Sequence, residues 1–250
     1  MPENPFKDAE DKLLFAKTLD KFNSARKKGE AFTDFLDPFR CAAFTKILAA
    51  NREISVAEYG GFENAERKML GFFTENASDE FFPITPITFT YNEKFSKPPS
   101  HRDYLGSVLG LGLERGKIGD IRIGESGAIL YVSSDISEYI CENLNQVKRT
   151  VVKGKIGETL QIAESQNIEK RITVPSLRAD AVISSALNLS RGKVVTLFES
   201  QKVFINWKPA KKTQTLTEGD AITIRGLGRL KLNSIEGNTK KDRIILQITI

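Results

Sequence analysis

Hydrophobic positions in the first third of the chain recur at helical spacing. Phe15, Leu19 and Phe22 share one stripe of a stretch otherwise rich in Lys, Asp and Glu, which predicts an amphipathic helix ending at Lys27-Lys28-Gly29. Asp37-Pro38 supplies an N-cap and a first-turn proline for a second helix, with Cys41, Phe44 and Leu48 on its apolar stripe. A short extended piece, Ile54 to Glu58, reaches the pair Gly60-Gly61, which permits a tight turn into a helix from about Asn64 to Leu70. Residues 1–78 are therefore expected to form a helical domain with an aromatic core, and the polar stretch Thr74 to Glu80 marks its end.

The period then changes. Ile84 to Tyr91 has strand composition, and Pro83 and Pro86 place its start at a sheet edge. Arg102 to Leu113 reads as a helix and Ile118 to Ile123 as a strand; Glu125-Ser126-Gly127 turns the chain into a strand at Ala128 to Val132. Ser133 or Ser134 caps a helix running to about Leu144, and Gln146 to Lys155 is extended. Strand–helix–strand–strand–helix–strand is the split βαββαβ plait that RNA-recognition motifs use. Residues 79–170 are thus expected to be an RRM-like domain closed by a polar connector, Ile156 to Arg171, with room for one further strand. Phe89, Tyr91 and Tyr131 fall on the central strands, where aromatics either pack the sheet or stack on bases; the motif's glycine- and aromatic-rich signature is missing.

Residues 171–250 read as a small α/β domain. Pro175-Ser176 enters a helix with Leu177, Ala181, Ser184/Ser185 and Leu187 along one flank. Ser190 caps a second helix, whose Val194, Leu197 and Phe198 bury one side. The strand Lys202 to Asn206 follows, then Ala221 to Arg225, and Gly226-Leu-Gly-Arg229 leads to strands ending at Ile250. The expected class is α+β: a helical N-terminal domain, the RRM-like plait and the C-terminal α/β domain.

Charge sharpens this picture once it is divided among the domains. The chain nets +5, but residues 1–78 net −1 and residues 79–170 net −2, whereas residues 171–250 hold 14 Lys and Arg against 6 Asp and Glu, a net of +8. A polyanion would bind there; a merely solvated basic face is the bland alternative. Helix N-termini carry partial positive charge, so Arg191 and Lys193 in the first turn after Ser190 cost roughly 0.3–1 kcal/mol each. With Arg178 in the first turn of the preceding helix, they form a corner suited to phosphate. Alternation sets Lys202, Phe204 and Asn206 on one strand face, and Lys208, Lys211 and Lys212 extend the basic rim. His101 and Arg102 begin another helix after Pro98-Pro99-Ser100; an RNA contact and a helix start that only caps and packs are both open there.

Catalytic templates fail on residues. A single histidine, His101, excludes a multi-histidine metal site and a triad needing a second one. Gly110-Leu-Gly-Leu-Glu-Arg115 has arginine at the third glycine of a dinucleotide fingerprint, and Gly116-Lys117 and Gly192-Lys193 lack the remainder of a phosphate loop. No spacing pairs two carboxylates for acid–base work. The expectation is a protein with no catalytic activity and no cofactor. No apolar run approaches roughly 18 residues, the N-terminus lacks a signal-peptide plan, and Cys41 and Cys141 resemble neither a disulfide framework nor a zinc site, so a cytoplasmic location and no membrane partner are expected.

Four stretches, Leu177-Arg-Ala-Asp180, Leu189-Ser-Arg-Gly-Lys193, Gln201-Lys-Val-Phe-Ile-Asn206 and Glu218-Gly-Asp-Ala-Ile222, resemble the RNA-binding domain named after small-subunit ribosomal protein S-four. That resemblance implies that Arg178, Ser190, Arg191, Lys193, Lys202, Asn206 and Lys208 face RNA; Trp207 departs from it, since glycine is common after the asparagine. His101-Arg-Asp-Tyr-Leu-Gly106, Leu109-Gly-Leu-Gly112, Arg115-Gly-Lys-Ile-Gly-Asp-Ile121, and Tyr59-Gly-Gly-Phe62 with Ala65-Glu-Arg-Lys68 resemble the bacterial YlmH family. That family resemblance implies an RNA-binding protein of the large ribosomal subunit, contacting rRNA and tRNA; a monomer is the separate expectation. The resemblance further implies work beside quality-control factors on stalled subunits, supporting C-terminal tailing of the nascent chain. Relatives associated with photosystems or cell division give an alternative. An RNA-modifying enzyme, of pseudouridine synthase or methyltransferase class, is another, because such domains often accompany one. A third reading makes the N-terminal domain a protein-interaction piece and the basic domain its ribosome tether.

Overall fold

The stripe read in the first helix is the one that buries. The computed structural model describes residues 9–51, 53–75, 77–92, 98–157, 160, 162, 168–206, 208–224, 227–239 and 241–250, and the chain divides into two units, Met1–Ala163 and Glu164–Ile250. In the first unit, α1 (Ala9–Lys28) buries Phe15, Thr18, Phe22 and Ala25. β1 (Glu30–Phe32) follows, and α2 (Pro38–Leu48) opens at Asp37, whose carboxylate accepts from the Arg40 N–H at 2.9 Å. Cys41, Phe44 and Leu48 are buried as their spacing predicts, and burial pushes the Cys41 thiol pKa up. β2 (Ser55–Tyr59) and β3 (Met69–Phe73) complete an antiparallel sheet in the order β1-β3-β2.

This sheet corrects the expectation of a mainly helical domain, whose one extended piece, Ile54 to Glu58, overlaps β2. Asn64 to Leu70 forms no helix, and Met69–Phe73 is instead the central strand, buried along its whole length. A short apolar run buried on both faces has no period to read, so strand and buried helix look alike in sequence.

The second sheet begins with β4 (Ile84–Tyr91), then α3 (His101–Gly110), β5 (Ile118–Ile123), β6 (Gly127–Ser133), α4 (Ser137–Asn143), β7 (Gln146–Val147) and β8 (Thr150–Ile156). Its order is β5-β6-β4-β8-β7, with every neighbouring pair antiparallel. β4 lies in the interior of the sheet, but its first three residues pair only with β6, and β8 joins from Ile87. Pro86 therefore sits where one side of the strand needs no ladder donor. Phe89, Ile87, Leu130 and Val132 pack with Tyr104, Val108 and Ile140 of the two helices. Ser100 and Asp103 form a reciprocal capping box at the start of α3.

Tyr104 is fully buried beside Phe89, and its hydroxyl has no hydrogen-bond partner among the described residues. Burial first, then Tyr91, pushes its pKa up to about 12. A buried hydroxyl without a partner carries a desolvation cost and returns nothing. Tyr104→Phe is therefore expected to keep or raise stability, by up to about 1 kcal/mol, in urea unfolding. A loss of that size would show that the hydroxyl is satisfied.

The second unit contains β9 (Glu169–Val174), α5 (Ala179–Ala186), α6 (Arg191–Glu199), β10 (Val203–Ile205), β11 (Lys208–Pro209), β12 (Ala221–Ile224), β13 (Gly228–Asn238) and β14 (Ile244–Thr249). They form one sheet in the order β11-β10-β12-β13-β14-β9. The end of the expected connector is thus an edge strand, since Glu169 to Val174 pair with β14 throughout. α5 buries Ala179, Val182, Ile183 and Ala186, not the flank of Leu177, Ala181 and Leu187. The helix starts two residues after Leu177, and its buried residues follow the i, i+3, i+4, i+7 stripe set by Ala179, while Leu177 and Leu187 pack only partly against the same core. Val194 is buried, and Leu197 and Phe198 pack beside it. Trp207, Arg225, Gly226 and residues 1–8 lie outside the described residues. No helix among the described residues is long and apolar enough to cross a membrane. The fold is α+β.

Candidate nucleic-acid interface

Two helix starts face each other in the second unit, and they are not equivalent. Arg178 is extended, bridges to Thr215 and is the N-cap of α5. The next two N–H groups donate backward into the loop, Ala179 to Gln214 O at 2.8 Å and Asp180 to Lys212 O at 3.2 Å. The dipole end of α5 is therefore occupied by the loop that carries Lys211 and Lys212. At α6, Ser190 Oγ accepts from the Lys193 N–H at 3.4 Å, as an N-cap should. The Arg191 and Gly192 N–H groups have no partner among the described residues, so α6 keeps the open end.

A cleft of about 350 Å³ separates these starts, lined by Pro175, Ser176, Arg178, Asp180, Ala181, Arg191 and Val195. Arg178 forks onto Asp180, with Nε–Oδ1 at 3.1 Å and Nη2–Oδ2 at 2.8 Å. That bond, before any other cause, lowers the Asp180 pKa, and it raises that of Arg178. Arg178 and Arg191 thus share one cleft. Lys193, two residues further, lies about 200° around the helix from Arg191, so the three cations do not form a single corner.

The strand residues divide as well. Val203 and Ile205 are buried, which turns Lys202, Phe204 and Asn206 to the other face. Lys208 is exposed on β11, opposite Ile205. Asn206, held at a left-handed φ of 47°, spends both amide ends inside the fold. Its Nδ2 donates to Asp220 Oδ1 at 2.7 Å, and its Oδ1 accepts from the Ala221 N–H at 2.9 Å. Asn206 therefore ties the end of β10 to the start of β12, a role that sequence spacing did not reveal.

In the first unit, His101 and Arg102 both lie exposed in the first turn of α3, whose N-cap box already uses the Ser100 and Asp103 groups. Surrounding protein lowers the His101 pKa, helped by Arg115 and opposed by Asp120. Arg115 belongs to a cluster that sequence reading left without a role. Arg67 Nε donates to Ile118 O at 3.0 Å and its Nη2 to Phe35 O at 2.7 Å, while Arg115 Nη1 donates to Ile118 O. Asp120 accepts from the backbone N–H of Glu66 at 2.5 Å and of Arg67 at 3.2 Å. Burial lowers the pKa of both arginines and raises that of Asp120. The quoted motifs Ala65-Glu-Arg-Lys68 and Arg115 to Ile121 thus join the two sheets.

The open face of the second sheet is largely filled. Tyr131 stacks on Phe62 at 4.8 Å, and Arg122 lies 4.8 Å over the same ring. Gly61, at φ 98°, presses against the Tyr131 ring so closely that a Cβ would not fit. Thr88 and Ile129, on the same face, are 3% and 1% exposed. Phe89 points to the helices, and Tyr91 packs beside that core with its hydroxyl donating to Glu125 O. None of the three aromatics presents an open ring to a base in this arrangement.

Comparison with known proteins places the chain. Residues 77–162 match the family described as "Putative RNA-binding domain in YlmH". The chain is 37% identical over 216 residues, 84% of its length and 83% of the relative's, to the "Ribosome-associated protein quality control protein P2" of Bacillus subtilis (strain 168). Its fold is like that of "Cell division protein ylmH from Streptococcus pneumoniae", with a TM-score of 0.51 at 21% identity over 64% of this chain and 99% of that one. This chain belongs to the YlmH family.

Proposed function

We propose that the chain is a non-enzymatic RNA-binding protein that contacts rRNA and tRNA on the large ribosomal subunit, where it acts in quality control of stalled translation and supports C-terminal tailing. The observation that carries this reading is the cleft between α5 and α6, where Arg178 and Arg191 stand beside an open helix N-terminus in the domain with net charge +8. The Bacillus relative's name supports the quality-control setting, and the match over residues 77–162 supports RNA as the ligand. The clustered arginines of the first unit donate to backbone carbonyls and serve the fold, so they do not argue for catalysis.

Tagged protein sedimented with separated ribosomal subunits and then cross-linked tests the reading. Large-subunit rRNA together with tRNA is the expected recovery; mRNA alone would refute it. Modified nucleosides after incubation with rRNA and S-adenosylmethionine would favour a methyltransferase instead.

A further inference from the structure

We infer that the first unit has its own RNA-phosphate contact, the basic β7–β8 hairpin made by Lys148, Arg149, Lys153 and Lys155, and that this β8 margin of the sheet takes the place of its filled central strands as the binding surface. The inference rests on the reading that the chain binds RNA.

The face of a βαββαβ sheet that points away from its helices is the one such domains offer to bases. Here the central strands have lost that face, since Phe62, Tyr131 and the Arg122 side chain fill it, and Thr88 and Ile129 beneath are buried. Arg122 Nη2 also donates to Ile162 O at 3.4 Å, which places Ile162 beside the same area. The open part is the β8 side. Residue alternation puts Thr150 and Val152 into the core and turns Val151, Lys153 and Lys155 outward. Lys153 and Lys155 pair in register with Thr90 and Thr88 of β4.

β7 pairs with β8 only at Thr150 and Val151, so among the described residues Lys153 to Ile156 border no strand on that side. Four cations therefore follow the hairpin within eight residues, around a Val151 that is 72% exposed. Arg149 and Lys153 have no acidic partner among the described residues, and Lys148 reaches only Asp103, at 3.5 Å. Lys148 occupies the turn at φ 56°, a conformation that glycine adopts at lower cost. Lysines on an exposed edge can also serve only to discourage pairing with another strand. Such protection asks for charge but not for its sign, whereas RNA asks for positive charge.

That difference is the test. The full chain carrying Lys148→Gly, Arg149→Gln, Lys153→Gln and Lys155→Gln is titrated against deproteinised large-subunit rRNA and against intact large subunits across a KCl series. The expected result is more than about tenfold weaker binding, and a plot of log affinity against log salt shallower by about 3–3.5, since each of the four lost phosphate contacts removes roughly 0.7–0.9. Lys153→Glu with Lys155→Glu keeps the edge charged and should bind more weakly still while remaining monodisperse with an unchanged melting temperature. Wild-type affinity and slope in both variants overturn the inference. If an Arg178→Ala/Arg191→Ala variant loses binding in the same assay, the RNA-binding reading survives that failure; if the wild-type chain does not bind rRNA, both fall.

Discussion

Replacing Arg67 by alanine is expected to destabilise the first unit by about 3 kcal/mol. The guanidinium holds Phe35 O at 2.7 Å and Ile118 O at 3.0 Å, two short half-buried charge-assisted bonds between segments far apart in sequence, and reaches Arg115 O at 3.4 Å. Each such bond contributes roughly 1.5–3 kcal/mol, and the two share one cation, so their sum is an upper bound. Removal also takes away a positive neighbour that depresses the Arg115 pKa, a relief that trims the loss. Arg67→Lys places one point charge where a fork bridged two carbonyls, and it should recover less than half. Amide exchange reads the effect by region: protection should fall at Phe35, Leu36 and Lys117 and stay unchanged across residues 169–250. A loss below about 1 kcal/mol would mean that the Arg67 bonds merely replace equal bonds to water.

Why that residue passed without notice shows what the sequence carries. Local patterns were readable: the α1 stripe, the Asp37-Pro38 cap, the Ser190 cap and the strand–helix alternation from Ile84 onward all depend on residues within a few positions of one another. Arg67 binds acceptors 32 and 51 residues away, and Asn206 is tied to Asp220, 14 residues on. No local period records such pairings. Family motifs flagged the residues around Arg67 and Asp120 without saying what they do. Charge counting found the basic domain but not its geometry. It grouped Arg191 with Lys193, which helical phase separates, and it counted Arg178 as a free cation although Asp180 sits in its fork. Met69–Phe73 failed for the reverse reason, because uniform burial erases the pattern that would identify a strand.

Removing Arg178 alone should weaken binding to large-subunit rRNA more than removing Arg178 and Asp180 together. Asp180 lines the cleft, and at present its carboxylate is held and its pKa lowered chiefly by the Arg178 fork. In Arg178→Ala that carboxylate loses its partner but stays ionised at pH 7, facing the place where a phosphate would sit. The single variant thus loses an attraction and gains a repulsion, for a combined fall on the order of 100-fold at low salt. Arg178→Ala/Asp180→Ala loses the attraction only and should return to about tenfold below wild type. Arg191→Ala, on the opposite wall beside the open N–H groups of α6, should also cost about tenfold and make the salt dependence shallower by about 1. Lys193→Ala, turned away from the cleft, should cost less than Arg191→Ala. Filter binding across a KCl series separates these cases. Equal losses in the Arg178 single and Arg178/Asp180 double variants would show that the fork acts only to hold the start of α5. An Arg191→Ala protein that binds as wild type would remove the cleft from the interface altogether.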